Sequence, residues 1–265
     1  MDAEQLRKRI AAYPRWTYRF EFDCGLSTPV VDRGRINRQH ERYALFFARL
    51  LELTGGSLQG MRVLDLGCSS GFFSLAAVEA GADFVFGVDL KDEFIEQAEL
   101  VFEAKGIERQ RYELRAGDLF DTQLPARVDL VLCLGVIDQL DRPAELFELI
   151  AATGAGLVVI DTKVSRSKES LFELSRLYST RDIAGDGLVL IPSRQAIADL
   201  AERHGFATVA LAQEVGDYAG MSDYRRERRC AFICARDLDL TGLPAEKRPT
   251  LIPWWARDPR ALTGS

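Results

Sequence analysis

Histidine occurs only twice in this 265-residue chain, at His40 and His204, and the five cysteines (Cys24, Cys68, Cys133, Cys230, Cys234) fall at no zinc-binding spacing. A metal centre built on imidazoles or paired thiolates is therefore not expected. Reduced, mostly buried thiols are. No apolar run approaches the ~20 residues that cross a bilayer, and the opening MDAEQLRKRI lacks the apolar stretch of a secretory leader. The expectation is a cytoplasmic protein with no membrane partner. A surplus of positive charge is also missing. Against 34 Lys and Arg stand 40 Asp and Glu, a net charge of −6, so the overall field does not draw the chain to nucleic acid, although a local basic face is compatible with it. No internal repeat is visible. The remaining composition, 47% hydrophobic and 28% charged, is that of an ordinary globular protein. The length suits one α/β domain with decorations.

One absence bears directly on ligand class. Met61 to Gly71, MRVLDLGCSSG, reads as a buried strand over 62–66, a glycine-rich turn and a helix over 72–80. Asp65, Gly67 and Gly71 form D-x-G-x-x-x-G. Glycines suit a backbone that takes positive φ or lets a ligand come close. A dinucleotide turn is G-x-G-x-x-G, but position 69 is Ser and position 72 is Phe, so that pattern fails. A second apolar strand, 84–88, ends in Asp89, where a carboxylate can accept hydrogen bonds from two ribose hydroxyls. A pyrophosphate-free ligand such as S-adenosylmethionine (SAM) fits this arrangement.

The rest of the chain alternates in the manner of a doubly wound sheet. Helices are expected over 91–105 and 143–152, and strands over 112–115, 128–133 and 156–161. A terminal antiparallel pair is expected at 208–211 and 230–235. Residues 165–190 break the rhythm, with a helix expected around 168–178, and read as an insertion over a pocket. Ser193 should cap a helix that ends before Gly205. Ahead of the core, 2–12 and 37–54 read as amphipathic helices. Trp16, Tyr18, Phe20 and Phe22 alternate between them, as in a packing strand or a lid. Arg35, Arg38, Arg42 and Arg49 form a basic stripe on the second helix, by default a solvated one. The tail carries Trp254 and Trp255, expected to dock on the body or on a partner subunit of a homo-oligomer. The expected domains are a cap over 1–58, a core over 59–236 and a tail over 237–265.

The glycine turn with Asp89 resembles motifs I and II of class I SAM-dependent methyltransferases. The resemblance covers roughly residues 60–236. It implies an α/β fold with a doubly wound, seven-stranded Rossmann-like sheet, an N-terminal helical and aromatic cap, and SAM as cofactor. It further implies Gly67 and Gly71 near the methionine part, Asp89 on the ribose and Asp118 facing the adenine amino group. Asp65, Cys68, Leu90, Leu119 and Leu134 complete the expected cofactor-binding set. Within the class, Leu64 to Cys68, Leu134 to Ile137 with Arg142-Pro143, the acidic end of strand five, and Ile191-Pro192-Ser193 leading to Gly205-Phe206 resemble the tRNA wobble-uridine carboxymethyltransferases and their short relatives. That group has an aromatic-histidine pair where this chain has Asp138 and Gln139, and its W-R-K-G-P-F segment has no match. Carboxymethyl transfer to tRNA is therefore the alternative.

The expected function is methyl transfer to a small molecule, in the first instance at a hydroxyl of a sugar or secondary metabolite. A non-catalytic SAM-binding protein is the third reading. Ligands sit at strand carboxyl ends in open α/β sheets, so Asp138 and Asp161 are the candidate general bases, with His40 reaching from the cap. Trp16, Tyr18, Lys163, Tyr224 and Arg225 are the candidate acceptor-binding residues.

Overall fold

The computed structural model describes residues 1–176 and 187–246. The glycine turn follows β1 (Arg62–Leu66) and precedes α4 (Phe72–Glu79). Four more parallel strands flank β1: β2 (Phe84–Asp89), β3 (Tyr112–Ala116), β4 (Leu130–Leu134) and β5 (Leu157–Lys163). With the antiparallel β9 (Arg229–Ala235) and β8 (Ala207–Ala210) they form a seven-stranded sheet of order β3-β2-β1-β4-β5-β9-β8. The central strand β4 is apolar along its whole length, as a strand covered by helices on both faces requires. Every residue of β4 and of β9 is buried. The strand order reverses between β1 and β4, which opens a crevice above their carboxyl ends.

α5 (Asp92–Ala104), α6 (Pro143–Ala152) and α7 (Arg194–Arg203) are the other core helices. Ser193 caps α7 by accepting a hydrogen bond from Ala196 N at 3.0 Å, as its position before the apolar period requires.

The amino-terminal region differs from the sequence reading. α1 (Ala3–Ala11) is followed by a strap in which Trp16, Phe20 and Phe22 are buried, yet only Glu21 makes a strand-like bridge, to Ser27. The strap is held by Thr28 instead, whose Oγ1 accepts from Phe20 N at 2.9 Å. The second expected helix begins earlier, as α2 (Arg33–Arg42) capped by Asp32, and passes through a π turn (Tyr43–Phe47) into α3 (Ala48–Leu53). The extra residue of a π turn rotates α2 against α3. As a result Phe46 and Phe47 are fully buried, and Arg42 is turned inward at 7% exposure.

The helix expected around 168–178 is absent over its described part. Phe172–Arg176 is instead a strand, β6, paired antiparallel with β7 (Leu188–Pro192). A short apolar run fits either period, and here the available partner strand decides. The rest of that expected helix, and the turn after it, lie in 177–186, outside the described residues. Trp254 and Trp255 also lie outside them. The preceding tail residues add to the edge of β8: Ala212 N donates to Pro244 O at 2.6 Å and Glu246 N to Ala210 O at 2.8 Å.

Candidate functional site

A cleft of about 320 Å³ opens above the carboxyl ends of β1, β2 and β4, a volume within the range of small-molecule sites. Of the residues singled out in the sequence, Gly67, Asp89, Leu90, Asp118, Leu119, Leu134 and Tyr18 line it. Gly67 has φ 68°, and a Cβ there would meet Val136 Cγ2 at 2.5 Å. Asp89 accepts from Ser69 N at 2.8 Å and from Lys91 N at 3.1 Å, so its carboxylate anchors both loops that frame the opening. Asp118 Oδ1 accepts from Phe120 N at 2.9 Å. Tyr18 stacks on Phe72 with ring centroids 5.1 Å apart, which brings the amino-terminal strap over the glycine turn.

Asp65, Cys68 and Gly71 lie beneath the cleft and do not line it. Asp65 is 2% exposed and accepts from Ser74 Oγ at 2.5 Å, tying β1 to α4. Gly71 has φ 80° at the start of α4, where a Cβ would stand 3.0 Å from that of Ala98. Cys68 packs against Gly87, and burial raises its thiol pKa well above the usual range. Burial likewise raises the Asp65 carboxyl to about 7, with Asp89 adding to the effect and the Ser74 hydrogen bond opposing it. Between about 4 and 7 the folded protein then binds a proton that the unfolded chain has released, so this group makes stability fall as pH rises through that window. Asp65→Asn is expected to flatten that slope, as followed by urea midpoints at either end of the window. An unchanged slope would show that the carboxyl is not raised.

Beside the cleft, at the ends of β4, β5 and β9, lies a buried ion network. Asp161 is fully buried. Its Oδ1 accepts from Tyr224 OH at 2.7 Å, and its Oδ2 from Arg42 Nε at 3.0 Å and Arg229 Nη1 at 3.1 Å. Asp138, 1% exposed, pairs with Lys163 Nζ at 3.0 Å and with Arg229 Nη2 at 3.4 Å. Asp223 receives Arg229 Nε at 2.9 Å and a two-pronged bond from Arg38 at 2.7 and 2.8 Å. Burial pushes the Asp138 carboxyl up, but the Arg229 and Lys163 charges outweigh it and hold it below the usual range. In the same way the two arginines bring Asp223 down to about 2.

These contacts correct three expectations. Asp161 presents neither carboxylate oxygen to the cleft, and Asp138 is a weakened base held by two cations, so neither is placed as a general base. His40 is exposed and does not line the cleft. Two expected acceptor contacts are also structural. Trp16 is buried with its Nε1 donating to Ile10 O at 3.3 Å, and Tyr224 is fully buried on Asp161. Lys163 remains partly exposed, and Arg225 is exposed. Half of the basic stripe is committed inward, since Arg38 and Arg42 both serve the network, while Arg35 is exposed and Arg49 pairs with Glu52 and Glu214.

Sequence reasoning missed Lys91, Phe94, Val136 and Gln139 in the cleft wall and the organising role of Arg229. The first two follow Asp89 closely and were open to placement by proximity. No local signal marks Arg229.

Residues 57–182 match the family model described as a methyltransferase domain. A ubiquinone biosynthesis O-methyltransferase of Leptothrix cholodnii is 34% identical over 98 residues, 37% of this chain and 41% of that protein. A tRNA U34 carboxymethyltransferase of Enterobacter sp. (strain 638) is 27% identical over 212 residues, 74% of this chain and 62% of that protein. The chain spans about half the length of the curated relatives it matches. Among solved structures, the N-terminal domain of EvdMO1 with SAH bound aligns with a TM-score of 0.67 at 21% identity, over 89% of this chain and 97% of that one. A S-adenosylmethionine dependent methyltransferase from Mesorhizobium loti aligns with a TM-score of 0.51 at 18% identity, over 71% and 98%.

Proposed function

We propose that this protein, which carries a methyltransferase domain on the class I SAM-dependent methyltransferase fold, uses SAM to methylate a small-molecule acceptor at a hydroxyl. The observation that carries the reading is the convergence of Gly67, Asp89 and Asp118, from three separate strand ends, on one cleft at the point where strand order reverses. The residues present fit the cofactor. Gly67 lets the turn pack directly against Val136, where a Cβ would not fit. In this reading Asp89 would accept from the ribose hydroxyls and Asp118 from the adenine amino group, while Leu90, Phe94 and Leu119, which line the same cleft, would supply apolar surface for the base. Arg42 Nη1 donates to the Tyr18 hydroxyl at 3.4 Å, which holds Tyr18 at the cleft wall.

When bound, SAM supplies an electrophilic methyl group. The chain's own task is to align the acceptor oxygen and exclude water. The Asp138 and Asp161 network acts here as a rigid wall rather than as a proton acceptor. An oxygen acceptor is supported by the O-methyltransferase named among the relatives. The longer match to a tRNA U34 carboxymethyltransferase keeps transfer to tRNA as the second reading.

Calorimetric titration with S-adenosylhomocysteine (SAH), with carboxy-SAM and NAD in parallel, tests the proposal. SAH is expected to bind at micromolar strength with NAD silent. Asp89→Ala is expected to weaken SAH by about 1–3 kcal/mol, the scale of hydrogen bonds to a charged group. Silence from SAH in folded protein refutes the reading, and a preference for carboxy-SAM moves it to tRNA.

A further inference from the structure

An acidic chain carries a dense positive segment beside its cleft. Four of the five residues from 225 to 229 are arginine, and buried side chains fix the segment at both ends. Before it, Tyr224 is fully buried on Asp161; at its end, Arg229 is buried among three carboxylates. Between them Arg225, Arg226 and Arg228 are exposed. Among the described residues none of the three forms an ion pair, whereas Asp223 and Arg229 beside them do.

The backbone there is firmly held. Glu227 takes φ 56°, uncommon for a residue with a side chain. Arg228 O accepts from Val164 N at 2.9 Å, and Arg226 O accepts from Arg166 Nη2 at 2.9 Å. Arg166 is itself exposed, and Lys163 stands opposite Arg229 in the β5–β9 register with its ammonium partly exposed. Strands in a sheet lie about 4.8 Å apart. β9 is two strands from β4, so this basic rim begins about 10 Å from the cleft wall at Leu134.

We infer that Arg225, Arg226 and Arg228, with Arg166 and Lys163, form an anion-recognition rim that selects an acceptor carrying a phosphate or carboxylate group away from its reacting hydroxyl. The inference rests on the methyltransferase reading for the word acceptor, but not for the rim. Guanidinium groups present paired donors that match both oxyanions. Exposed cations beside a cleft raise the local concentration of an anionic ligand. The rim is small and the rest of the chain is acidic, which favours a small anion over a long polyanion that needs many phosphate contacts.

The test uses inorganic phosphate and acetate as probes at constant ionic strength, read from arginine side-chain NMR resonances of the full chain. The variant is Arg226→Gln/Arg228→Gln, checked for an unchanged melting curve. Saturable shifts at the rim arginines are expected, weakened about fivefold or more in the variant. The better of the two probes identifies the oxyanion. Shifts that do not saturate, or that are the same in the variant, overturn the rim. Tight tRNA binding lost in the variant assigns the rim to nucleic acid and overturns the small-molecule class. SAH is titrated separately: phosphate binding without SAH binding keeps the rim and refutes the methyltransferase reading, and the converse refutes only the rim.

Discussion

Arg229→Ala is expected to destabilise the protein by about 3–5 kcal/mol, the scale of breaking a buried ion pair by removing one partner. One guanidinium touches Asp138, Asp161 and Asp223, and its loss leaves two nearly inaccessible carboxylates short of positive charge. The melting temperature should fall by something on the order of 10 °C. Arg229→Lys should recover only part, because one ammonium cannot reach three carboxylates as a planar fork does. The pH dependence carries a sign. Asp138 and Asp223 are held below their ordinary range, so their contribution is present above about pH 4 and is lost as pH falls toward 2. The gap between the two proteins should therefore shrink over that window. Calorimetric melting at neutral and acidic pH measures it. A loss under about 1 kcal/mol, typical of an exposed pair, would show that the network is solvated.

Gly67→Ala is expected to cost about 2–4 kcal/mol and to lower SAH affinity about tenfold or more, because two penalties coincide. The residue sits at φ 68°, and the added methyl would lie 2.5 Å from Val136 Cγ2. Gly60→Ala separates the two effects. Gly60 has φ 82° with nothing within 4 Å of the added atom, so it should show only the backbone term of about 1–2 kcal/mol. Val136→Ala in the Gly67→Ala background should recover the difference, a coupling that a double-mutant cycle reports. Equal costs at Gly67 and Gly60 would mean that the turn tolerates a side chain and that the tight approach has no role in binding.

Much of the cofactor side was legible along the chain. The strands that end at Leu66 and Asp89, the positive-φ glycine between them and the Ser193 cap depend on contacts between near neighbours or on periods within one element. Local sequence carries such signals. The errors fall where that information ends. The run through Phe172–Arg176 became a strand because Leu188–Pro192 stood beside it. Asp161 lies near the end of β5 and Asp138 in the turn beyond β4, but what they do there depends on which cations meet them.

Residues a few positions apart, or one repeating period, suffice for the doubly wound order, the glycine turn, the acidic strand ends and the failure of the dinucleotide pattern. The chain alone carries all four. That the carboxylates beside the cleft are charge partners rather than bases emerges from the folded arrangement. Asp161 meets Arg42 across 119 residues, and Asp138 meets Arg229 across 91. A carboxylate's basicity is set by the charges within a few ångströms of it, and no pattern along the chain encodes which distant residues come that close.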